Sequence, residues 1–76
     1  MAKAIFVLSE DEVDGIRVVM EEIRAKDETF RFSIFRGYEG DWLLTVFAKD
    51  KDEAYRRAAW IWDKVFNKEK WYVVRE

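Results

Sequence analysis

Residues 29–36, "TFRFSIFR", place Phe30, Phe32 and Ile34 at every second position, with Arg31, Ser33 and Phe35 between them. Successive side chains of a strand point to opposite faces, so this alternation predicts a strand with one apolar face that needs a cover. "GYEGD" follows as a turn, and "WLLTVFA" as a second strand. A three-residue loop, Tyr38-Glu39-Gly40, with Gly40 in the left-handed region as a bulge, joins the two. That loop pairs Ser33 with Thr45, Phe32 with Val46 and Ile34 with Leu44, which keeps polar beside polar and apolar beside apolar. A hairpin alone does not bury its apolar face, so the rest of the chain must supply the cover.

Two helices are written on either side of the hairpin. Ser9 and Glu12 form the S-x-x-E capping box, and Glu10, Asp11 and Glu12 lie at the positive end of the helix dipole. Val13, Ile16, Val19, Met20 and Ile23 then make one apolar stripe, while Val18 is left on the outer side. Arg24 and Lys26 close the last turn, where cations are favoured. Gly15 costs this helix roughly 1 kcal/mol relative to alanine. Asp50 and Glu53 repeat the cap as D-x-x-E, opening a second helix that runs to about Asn67. Its stripe is Ala54, Tyr55, Ala58, Ile61, Trp62 and Val65, with Phe66 flanking. Asp52 to Arg56 and Glu53 to Arg57 are i,i+4 pairs in the favourable order. "KAIFVL" at 3–8 and "KWYVVR" at 70–75 add a strand at each end.

The order is therefore βαββαβ within a single domain, 1–76. With right-handed crossovers it folds as a four-stranded antiparallel sheet with both helices on one face, an α+β ferredoxin-like sandwich whose central strands are the first and third. In the second helix, Trp62 falls near the middle of the stripe and Trp60 about 160° away, beside Arg56 and Lys64. Trp62 is thus a core residue and Trp60 an outer-face aromatic, a candidate contact site able to stack on a cation.

Composition removes most chemistry. There is no histidine to act as general base or metal ligand and no cysteine for thiolates or disulfides. The four aliphatic hydroxyls, Ser9, Ser33, Thr29 and Thr45, have no histidine to activate them. Glu10, Asp11, Glu12 and Asp14 lack calcium-loop spacing and are accounted for by capping. "RGYEGD" belongs to a hairpin rather than to a phosphate-binding strand–helix turn. The expectation is no enzyme, no metal and no cofactor. Net charge is −2, which argues against a nucleic-acid partner, and no basic field draws the chain to a membrane. No apolar run approaches the roughly 18 residues of a bilayer span, and "MAKAIFVLSE" is too short for a signal peptide, which fits a soluble cytoplasmic protein.

What remains is the sheet face that the helices leave open. The expected facings put Phe6, Leu8, Phe35, Leu43, Phe47 and Tyr72 there, beside Arg31. A patch of this kind suits a partner or a homodimer.

Two resemblances follow. The βαββαβ order, "IFVL" at 5–8 and "VFAKDKDEAYRRA" at 46–58 resemble the RNA-recognition motif family, which implies base stacking on Phe6. Where that family's third strand carries a leading basic residue and a second stacking aromatic, "GDWLLTVF" offers only Trp42, Leu44 and Phe47. As a whole the chain resembles a computationally designed or redesigned ferredoxin-like protein. The marks are two caps, paired charges, matched strand patterns, and no proline, histidine or cysteine. Absence of proline alone has a chance of roughly 2% at this length. Gly15, Val18 and Trp60 depart from an idealised scaffold. The resemblance implies a designed structural domain with no evolved activity. The alternative is a natural binding module, an inhibitor, adaptor or nucleic-acid binder, using the open face.

Overall fold

The computed structural model describes residues 1–37 and 39–76. Strand β1, Ala2–Leu8, leads through a 3-10 turn, Glu10–Glu12, into helix α1, Val13–Lys26. The hairpin is β2, Arg31–Arg36, and β3, Trp42–Ala48; helix α2, Lys51–Lys64, and strand β4, Tyr72–Arg75, complete the chain. The sheet is antiparallel throughout in the order β2-β3-β1-β4, with β1 and β3 central, the ferredoxin-like arrangement.

The hairpin register is the one the alternation demands: Ser33 opposes Thr45, Phe32 opposes Val46 and Ile34 opposes Leu44. Gly40 has φ +92°, as a left-handed bulge residue must, and its N–H donates to the Gly37 carbonyl at 3.2 Å. Tyr38, which completes the expected loop, lies outside the described residues.

Both caps form. The Ser9 N–H and hydroxyl each donate to Glu12 Oε1 at 2.8 Å. Asp50 accepts from the Glu53 N–H at 2.8 Å, and Glu53 accepts from the Lys49 N–H at 3.0 Å. Of the two expected pairs on α2, Arg57 meets Glu53 at 3.6 Å. Asp52 and Arg56 do not appear among the ion pairs of the described residues.

Helix α2 stops at Lys64, short of the expected Asn67. Asn67 and Lys68 take φ of +50° and +65°, and this left-handed turn reverses the chain. The Lys68 N–H then donates back to the Trp62 carbonyl at 3.0 Å, which satisfies an otherwise orphaned helix-end acceptor.

The core lies between the helices and one sheet face. Phe6, Met20, Leu44, Ile61 and Val46 are its largest fully buried side chains. Ala2, Ala48 and Ala54 form a separate cluster of small side chains between α2 and the sheet. Trp62 packs against the core as expected, though it is only partly buried. Tyr55 does not join it. About 60° round from Ala58, it stands at the border of the stripe and is 50% exposed.

Candidate functional site

The site is built from the strand residues that point away from the helices. Three of the expected members are not there. Phe6 and Leu8 are buried on the helix side, with the Phe6 ring 5.3 Å from Phe66 and 5.4 Å from Tyr72. Tyr72 also meets the edge of Trp62 at 6.4 Å, so it too faces the helices. The reason is parity. In β1, Ala2, Ala4, Phe6 and Leu8 are buried together, which turns Lys3, Ile5 and Val7 outward. In β4 the same logic turns Val73 and Arg75 outward. Phe6, enclosed on every side, is not available to stack on a base. Arg31, Phe35, Leu43 and Phe47 are on the open face as expected.

Registers arrange this face in rows across the sheet. The first row runs Arg31, Phe47, Lys3, Arg75. The second runs Ser33, Thr45, Ile5, Val73, and the third Phe35, Leu43, Val7. Trp71, just before β4, extends the third row; it lines a groove with Ile5, Val7 and Val73 and is 83% exposed. The face therefore grades from a cationic row holding one phenylalanine to an apolar row at the other end. Ile5, Val7, Trp71 and Val73 were missed because β1 and β4 are apolar at both parities. A usable signal was present: Lys3 and Arg75, the only charged residues of those strands, share parity with them and belong in water.

Trp60 is on the outer face of α2, 51% exposed, as the helical phase requires. It lines a recess with Ile23, Phe30 and Arg57. Among the described residues no cation–ring contact involves it; Arg57 lies over Phe30 at 5.5 Å, Arg24 over Phe32 and Arg36 over Trp42. Nearby, the hydroxyl and then the N–H of Thr29 hold the Asp27 carboxyl below the usual aspartate range.

Two of the acidic residues before α1, Glu12 and Glu10, are engaged in structural contacts. Burial pushes the Glu12 carboxyl up, but the Lys70 ammonium at 2.7 Å and the two donors of Ser9 more than reverse this and hold it below its ordinary value. Glu10 meets Arg36 at 3.1 Å. Among the described residues no group of three or more potential ligands is gathered as a metal site needs. Among the described residues no helix is long and apolar enough to cross a membrane.

Comparison with protein-family models, with curated proteins and with solved structures gives no match.

Proposed function

We propose that this chain is a small binding module that works through the open face of its sheet. One observation carries the reading. Val7, Phe35, Trp71 and Val73 are 42–83% exposed, and they adjoin Ile5, Leu43 and Phe47 on a single uncovered surface. Side chains of this kind contribute little to the core, which lies wholly on the other face. Contiguous apolar surface is rare on soluble monomers unless something covers it. Each Å² that a partner removes from water is worth about 25 cal/mol before association costs.

A second reading, a designed structural domain with no evolved activity, is supported by the agreement of local and global signals. Caps, hairpin register and the Glu53–Arg57 pair all favour one fold. Peptides selected from a random-sequence display library against the folded protein separate the two. A binding module yields peptides that shift amide resonances of the open-face positions and are lost in Phe35→Ser/Leu43→Ser, whose fold is checked by its own amide spectrum. Peptides that survive this double substitution, or a selection that yields none, would overturn the binding reading and favour the scaffold.

A further inference from the structure

Charge on this chain is segregated by secondary structure. All sixteen Asp and Glu residues lie outside the four strands. The strands hold Lys3, Arg31, Arg36 and Arg75, and all but Arg36 lie on the open face. Arg36 is neutralised by Glu10. Lys3, Arg31 and Arg75 enter no ion pair among the described residues; Arg17, Lys26, Lys49, Lys51 and Arg56 on the helices and loops are also outside the ion pairs, but acidic residues share their elements, whereas the strands hold none. A chain of net charge −2 thus presents a cationic row, with no carboxylate on the strands themselves, on the same face as the exposed Val7, Phe35 and Val73.

We propose that this face takes an acidic polypeptide segment carrying aromatic or aliphatic side chains. Its carboxylates meet the Arg31–Lys3–Arg75 row, and its apolar side chains cover Phe35, Leu43 and Val7. The inference rests on the binding reading and names the partner's chemistry. Lys3 and Val7 are four residues apart along β1, about 13 Å at strand rise, so one short segment spans both ends of the gradient.

Two other occupants fit less well. Four strands at about 4.8 Å and a comparable length along them give a footprint of a few hundred Å², roughly half of the 800 Å² per partner of a standard dimer. Stacking two copies with their cationic rows in register would also oppose like charges. An extended nucleic acid would find one aromatic, Phe47, on the cationic row. Phosphates gain nothing from the Phe35–Leu43–Val7 row, and the acidic remainder of the surface repels a long polyanion.

The test is calorimetric titration of the whole chain with three probes: a peptide alternating Glu with Leu and Phe, the same peptide with Lys for Glu, and an oligo-dT of matched length. Amide shifts map each site. The proposal expects the acidic peptide on the open face, about tenfold tighter than the basic one, with affinity falling as salt rises. Lys3→Gln/Arg31→Gln/Arg75→Gln should abolish that preference without changing the melting temperature appreciably. Equal affinity for the two peptides would overturn the charge assignment and leave the binding reading standing. So would tighter binding of oligo-dT at the same face. Sedimentation as a dimer broken by Leu43→Lys would assign the face to a second copy and refute the proposal. If a monomer's open face responds to none of the probes, the binding reading fails with it.

Discussion

The facing of β1 is tested by two neighbours, Phe6 and Val7. Phe6 is fully buried, opposes Leu44 and Tyr72 in the sheet, and stacks obliquely on Phe66 and Tyr72. Truncation to alanine leaves a cavity among side chains held by both helices and the sheet, and should cost about 3–5 kcal/mol. A chain of 76 residues has a total stability of about 4–11 kcal/mol, so Phe6→Ala removes a large part of it. Phe6→Leu conserves most of the volume and should cost about 1–1.5 kcal/mol, which keeps the measurement within the folded range. Val7 is 51% exposed on the other face, and Val7→Ala should cost under about 1 kcal/mol, since little apolar area is lost. Urea unfolding followed by tryptophan fluorescence reads these values directly. With a slope of about 1 kcal/mol per molar, the Phe6→Leu midpoint should fall by about 1 M and the Val7→Ala midpoint by clearly less. A larger loss at Val7 than at Phe6 would refute the reasoning. It would mean that β1 is slipped by one residue and that every side chain of the strand faces the wrong way.

Trp62→Ala should cost about 3 kcal/mol and Trp60→Ala under about 1 kcal/mol by the same assay. Trp62→Phe should be milder than its lost area suggests, because the buried Trp62 Nε1 has no acceptor among the described residues and its removal relieves that desolvation. Gly15→Ala should raise stability by about 0.5–1 kcal/mol, since an added Cβ meets nothing within 4 Å; a loss would reveal a close approach there. Glu12 has a depressed folded-state pKa, so its stabilisation is present above the ordinary glutamate value of about 4.3 and is lost as pH falls through the folded value. The stability advantage of the parent over Glu12→Gln should therefore shrink on acidification in that range, and a pH-independent difference would contradict the assignment. With Lys70→Met, which leaves burial opposed only by Ser9, the advantage should shrink at higher pH.

How legible was this protein in its residues? The two hairpin strands and their register were legible. Alternation in β2 leaves one facing that buries Phe30, Phe32 and Ile34, and Gly40 sets the register. Both helix starts were equally explicit, because caps are local: Ser9 with Glu12 and Asp50 with Glu53 satisfy backbone donors within one turn. Helical phase separated Trp60 from Trp62 for the same reason, a period of 3.6 residues that needs no partner.

The terminal strands were different. "AIFVL" and "YVVR" are apolar at both parities, so local pattern offers two facings of nearly equal hydrophobic gain. Packing removed the degeneracy. Small side chains at Ala2 and Ala4 share a face with Phe6 and Leu8, and α2 brings Ala54 and Ala58 to the same interface, leaving Phe6 enclosed by Phe66 and Tyr72. The opposite facing would have driven Lys3 and Arg75 into the core without partners, at a desolvation cost that no local preference repays. The composition of the open face was decided by that choice. Periodicity alone determined which residues of β2 and β3 face outward. The tertiary fold, by burying Phe6, Leu8 and Tyr72, decided that Ile5, Val7 and Val73 join them beside the cationic row, a facing to which only the parity of Lys3 and Arg75 pointed in the sequence.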